Sequence, residues 1–117
     1  MKLICLNLWG GRILEPLLDF LKTNNDVDIF CFQEIYHNAE DSYADLPLDP
    51  SLTLLTDMQK VLPDYTAFYR PVIKRDYGIG MLIKNGIEVT EEGDIFIFEN
   101  PNFVRGGVTI ETCNGRR

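Results

Sequence analysis

The chain has little with which to brace itself covalently or to sit in a membrane. Its three cysteines, Cys5, Cys31 and Cys113, are an odd number and cannot form a fully paired disulfide framework, and none stands in the Cys-x-x-Cys spacing that zinc sites use. Cys5 and Cys31 fall inside apolar strand candidates, where a thiol is expected to behave as a small buried hydrophobe. No apolar run approaches the roughly 18 residues that a membrane span needs. Lys2 is not followed by a long apolar stretch and a small-residue cleavage site, so no signal peptide is read. Internal repeats, low-complexity tracts and linkers are missing as well. These absences favour a reduced, cytoplasmic setting, with secretion after removal of a leader left open. The 117 residues, 45% of them hydrophobic, fit one domain and can supply its core.

Positive charge is also in short supply. The formal net charge is −7, and residues 23–59 carry eight acids and no Lys or Arg. Residues 60–84 reverse the balance locally, with five bases against Asp64 and Asp76. Nucleic-acid binding rests on a basic surface, so an acidic total argues against unaided binding of a polyanion. A bound divalent cation would partly invert that field. The plainer account is that the acids keep loops in water.

What is present is a regular alternation of elements. Residues 2–9 and 28–33 are apolar on both faces, as strands inside a layered structure are. Between them Ile13, Leu14, Leu17, Leu18 and Leu21 recur at helical spacing. Pro16 is tolerated only in a first turn, which sets the helix at about 14–23, closed by Asn24-Asn25. Strand, helix and strand form a βαβ unit, with the two strands parallel. Residues 35–49 read as an exposed loop. Asp49-Pro50 then reads as an N-cap and first helical residue, followed by an apolar stripe of Leu52, Leu55, Met58 and Leu62. Past Tyr65 the pattern turns to β, with strands expected at 65–70, 78–84, 87–91, 94–98 and 104–112. Asn85-Gly86 suits a type I′ hairpin, Glu92-Gly93 a weaker turn. Two helices, clustered early, against about seven strands describe an α+β layered domain. Cys113-Asn114-Gly115 is a hairpin signal with only Arg116 and Arg117 after it, so the natural domain is expected to continue.

Two positions carry chemistry. Glu34 follows five uncharged residues, four of them apolar, and Asn7 sits in a matching run near the N-terminus. On adjacent parallel strands they would lie side by side at one sheet rim, a seat for a hard, oxygen-seeking cation. The alternatives are a solvated carboxylate at a strand end and an amide bonding nearby backbone. His37, the single histidine, lies three residues past Glu34, a spacing that suits a helical metal pair. Its segment reads as loop, so a solvent-facing histidine is expected. Arg70, Lys74 and Arg75 stand beside Tyr69 and Tyr77, a mixture that holds phosphates and stacks bases but also describes a solvated hairpin. Trp9, next to Gly10-Gly11, is read as core or rim packing, and Tyr36 as a lesser candidate for lining a cleft.

Leu6-Asn7-Leu8-Trp9-Gly10, Phe32-Gln33-Glu34, Tyr77-Gly78-Ile79-Gly80-Met81-Leu82-Ile83-Lys84 and Arg105-Gly106-Gly107-Val108, in that order, resemble the N-terminal half of the endonuclease/exonuclease/phosphatase family, the deoxyribonuclease-I-like fold. The resemblance implies a layered β-sandwich of mixed sheets with flanking helices, of which residues 1–117 form a truncated N-terminal portion. It implies a magnesium-dependent phosphoesterase, nuclease or phosphodiesterase among its activities, with manganese as a substitute ion. In that reading Glu34 is the metal ligand, Asn7 assists at the metal or the scissile phosphate, and Arg70 and Arg105 are substrate-binding candidates. The family's phosphate-facing histidine, Asp-x-Asn and Ser-Asp-His motifs do not occur here, so the piece alone is expected to be inactive. Ile79 replaces a polar residue found in many relatives, which leaves nucleic acid and small phosphoesters both open as substrates. The competing expectation is a non-catalytic module that pairs with a missing C-terminal half, or with itself, through an open sheet edge.

Overall fold

The computed structural model describes residues 1–37, 51–73, 77–99 and 104–112, with backbone alone for 72–73, 95–99 and 104–112. Six strands and two α-helices follow in the order β1 (Leu3–Asn7), α1 (Leu14–Thr23), β2 (Ile29–Tyr36), α2 (Leu54–Val61), β3 (Tyr65–Ile73), β4 (Tyr77–Lys84), β5 (Val89–Glu99) and β6 (Val104–Thr112). A mixed sheet has the strand order β1-β2-β4-β3, and β5 and β6 form a second, two-stranded sheet. β1 and β2 are parallel neighbours, whereas β2–β4 and β3–β4 are antiparallel. The backbone of β6 lies against β3 and β4, which completes a layered α+β arrangement. Among the described residues no helix is long and apolar enough to cross a membrane.

Both helices cover one face of the mixed sheet. Pro16 is the third residue of α1, inside the first turn, where the backbone N–H groups have no helical partner to lose. Leu21, Leu54, Leu55, Met58 and Leu62 meet Phe30, Phe32, Ile35 and Leu82 in one buried cluster. Phe30 stacks on Phe32 at 5.4 Å between centroids and tilts against Tyr65 at 5.6 Å. The Tyr65 hydroxyl donates to the carbonyls of Val27 and Asn25, so the base of β2 is tied to the start of β3.

Several sequence expectations need correction. β2 runs three residues past Gln33 rather than ending there, so Tyr36 is a strand residue and buried. α2 starts at Leu54, with Thr53 as N-cap. Leu54 therefore enters the core in place of Leu52; Asp49 and Pro50 lie outside the described residues. The expected strands 87–91 and 94–98 are one strand, β5, because Gly93 keeps an extended backbone and pairs with Thr109. Asn85-Gly86 makes no hairpin between paired strands. The Ile87 N–H bonds the Lys84 carbonyl at 3.2 Å, and only Gly86 takes a positive φ, 99°, as a type II turn requires. The turn passes the chain from the mixed sheet to β5. Cys5 is exposed and Cys31 half-buried, because alternation puts both on the sheet face away from the helices. His37 is not solvent-facing either. Its ring lies 5.1 Å from that of Tyr69, and its Nδ1 is buried.

Candidate active site

The rim is built where β1 and β2 stop behaving as ordinary strands. Asn7 is the Cα partner of Gln33, and the Leu8 N–H bonds the Gln33 carbonyl at 3.0 Å, so β1 stays seated on β2 up to its last residue. The chain then turns through three consecutive left-handed residues, Trp9, Gly10 and Gly11, at φ 50°, 63° and 75°. The Asn7 side-chain oxygen accepts the Trp9 N–H at 2.9 Å. This is the local backbone bond expected of an amide at a strand end, and it fixes the head of Asn7 while leaving its NH2 group as a donor. Gly10 is required twice over. Its φ disfavours a side chain, and a Cβ there would stand 2.7 Å from the Tyr36 ring and 2.9 Å from the Arg12 guanidinium. Tyr36 thereby packs on the turn and holds it against β2.

Glu34 reaches the same rim through a β-bulge. Phe32 pairs with Gly80 and Ile35 with Gly78, so Gln33 and Glu34 together face the single residue Ile79. The extra residue lets Phe32 and Ile35 both point into the core, at 2% and 0% exposure. Glu34 absorbs the irregularity with φ 60°. A left-handed non-glycine residue costs about 1–3 kcal/mol and persists only where its surroundings hold it. Among the described residues only Trp9 and Glu34 are non-glycines of this kind, and both flank this rim.

The electrostatics tie the parts together. Tyr36 and Tyr77 are cross-strand partners with rings 4.9 Å apart at 60°. Burial holds the Tyr77 phenol above its ordinary pKa, and the Glu34 carboxylate and Tyr36 push the same way while Arg12 opposes them. Arg12 donates to the Trp9 carbonyl at 2.8 Å, with its guanidinium carbon 5.6 Å from the Trp9 ring centre. Trp9 itself is 48% exposed, a rim residue rather than a core one. Among the described residues Glu34 makes no hydrogen bond or ion pair, and no group of three acids, histidines or cysteines converges.

The sequence profile of the Endonuclease/Exonuclease/phosphatase family matches residues 4–114. The chain belongs to this family. No curated protein and no solved structure matches it. Membership brings a phosphoesterase- or nuclease-type function, in a family whose members generally depend on a divalent metal.

Against this family background the remaining candidates fall in different places. Arg70 lies on β3 opposite Ile79, three strands across from Asn7. Its guanidinium meets Asp94 at 2.6 Å and Glu92 at 3.0 Å on β5, and these bonds, Asp94 first, raise its pKa further. Arg105 lies on β6 opposite Phe98, with its side chain outside the described residues, as are Lys74 and Arg75. His37 projects against Tyr69, which packs on the buried core. Arg12 is the residue that reading the sequence passed over. Its signal was there, an arginine immediately after Trp9-Gly10-Gly11, but nothing local says that the turn folds it back onto the tryptophan.

Proposed function

We propose that this chain carries the metal- and phosphate-binding rim of a magnesium-dependent phosphoesterase, with Glu34 as the metal ligand and Asn7 beside it. The observation that carries the reading is the pair of left-handed positions, Trp9 and Glu34, held at a rim where an amide meets a carboxylate that has no partner among the described residues. Magnesium is content with one or two carboxylates, several waters and substrate oxygens. Glu34 has no competing cation among the described residues, and a carbonyl oxygen that accepts one hydrogen bond keeps a second lone pair, so the donor set fits. Manganese fits the same oxygens. When bound, the cation supplies Lewis acidity at a phosphoryl oxygen and offsets charge on the leaving oxygen.

The chain's own side chains supply the rest of the binding. The Asn7 NH2 group donates to a non-bridging phosphoryl oxygen. Arg12 brings positive charge, and the Tyr77 hydroxyl donates a hydrogen bond. Trp9 offers a flat exposed face to the group esterified to phosphorus. Arg70 is better read as a clamp between β3 and β5, because a phosphate would have to displace two carboxylates from it. Hydrolysis forms a bond from water oxygen to phosphorus as the ester oxygen leaves. The sequence lacks the family's phosphate-facing histidine and its Asp-x-Asn and Ser-Asp-His motifs, so these residues alone are expected to bind rather than turn over. Losing one preorganised stabiliser already costs on the order of a hundredfold in rate.

Trp9 is the single tryptophan of the chain, so its fluorescence reports on the rim. Titration with magnesium is expected to change that emission saturably, and Glu34→Gln to abolish the change. An undiminished response in Glu34→Gln would remove the assignment.

A further inference from the structure

The face of the mixed sheet away from the helices carries a pair of groups that the phosphoesterase reading leaves unused. Cys5 and Cys31 are Cα partners on β1 and β2, so their side chains leave the sheet on the same side. Neighbouring strands run roughly 4.7–4.9 Å apart, inside the roughly 4.4–6.8 Å of Cα separation that a disulfide spans. Both thiols are free, Cys5 exposed and Cys31 half-buried behind it. Leu3 and Asn7, which flank Cys5 on the same face, are exposed too, so a small reagent meets no barrier at Cys5.

We propose that Cys5 and Cys31 form a cross-strand dithiol site that a small-molecule disulfide converts to an intrachain disulfide. The Cys5 thiolate attacks one sulfur of the reagent, a Cys5–reagent disulfide forms, and the first reagent thiol leaves. Cys31 then attacks the Cys5 sulfur, the Cys5–Cys31 bond forms, and the second reagent thiol leaves. Two protein thiols lose two protons and two electrons; the reagent disulfide gains them and becomes two thiols. Burial, the largest cause of the raised Cys31 pKa, persists after Cys5 has reacted, so the second step is the slow one, faster as pH rises. Asn7 and Gln33 lie one side-chain repeat further along the same strands, so the bridge fixes the strand spacing next to the rim.

The test is exposure of the native chain to oxidised glutathione, followed by alkylation of free thiols and peptide mapping. The expected product is a Cys5–Cys31 cross-linked peptide lighter by two hydrogens, with Cys113 still alkylated. Its rate of closure should rise with pH, and Cys31→Ser should stop at the Cys5–glutathione adduct. A native chain that stops at that adduct, links through Cys113 or to a second chain, or closes the bridge only in denaturant would overturn the proposal.

Discussion

The two ends of the parallel pair β1–β2 are built on opposite principles. At the base, carboxylates are plentiful, and two of them, Asp26 and Asp28, are held by Lys2. The Lys2 N–H meets Asp28 at 2.6 Å, its ammonium meets Asp26 at 2.8 Å, and the Lys84 ammonium donates to the Asn25 carbonyl at 2.8 Å. The bond from Lys2 is the main reason the Asp26 carboxyl lies below its usual range. At the rim there is one carboxylate, no partner for it among the described residues, and a backbone forced left-handed at Trp9 and Glu34. Counting acids would choose the base as the metal end. Asking which acid sits on a left-handed backbone chooses the rim. The difference teaches that backbone strain and charge density single out opposite ends of the same strand pair.

The comparison breaks most easily at Gly10. Gly10→Val forces a branched side chain onto a φ of 63° and into the Tyr36 ring, 2.7 Å from its Cβ. Urea unfolding should show a loss of about 3 kcal/mol, combining backbone strain and overpacking. At the base, Tyr65→Phe removes a buried hydroxyl that serves two carbonyls and should cost about 1–3 kcal/mol by the same measurement. Glu34→Gly tests the strain itself and carries the opposite sign. Glycine accepts a φ of 60° freely, so this variant should unfold later than the parent, by about 1 kcal/mol, although it deletes the site's carboxylate. A destabilised Glu34→Gly would mean that the bulge is not strained.

A smaller effect sharpens the picture of the rim. Glu34→Gln should lower the Tyr77 phenol pKa, read by ultraviolet titration, because one of the causes holding it up is that carboxylate. Since the folded-state value is raised, Tyr77 stabilises the fold fully below the ordinary tyrosine range, roughly pH 10, and that contribution is lost as pH climbs through the folded value. The variant should lose part of this alkaline dependence.

Much of this was legible in the residues. The helical spacing with Pro16 in a first turn fixed α1, and two doubly apolar runs around it implied parallel strands, which puts Asn7 and Glu34 at one end. The bulge was not legible. Glutamate has no special liking for φ 60°, and what forces it there is the demand of Phe32 and Ile35, packed against distant helices and Gly80, to be buried together. The same demand carries β2 on to Tyr36, while pairing with Thr109 on β6 keeps Gly93 extended inside β5. Asn85-Gly86 misled because a turn dipeptide encodes a change of direction without saying whether the next strand returns to the same sheet.

The most direct measurement replaces magnesium by paramagnetic manganese and follows line broadening of backbone amides in the native chain. Broadening strongest at Trp9–Gly11, Gln33–Tyr36 and their β4 neighbours Gly78–Gly80, weakest at Asn25–Asp28, and lost in Glu34→Gln, is the predicted result. Broadening centred on Asp26 and Asp28, or surviving unchanged in Glu34→Gln, would contradict the assignment of the metal to the rim.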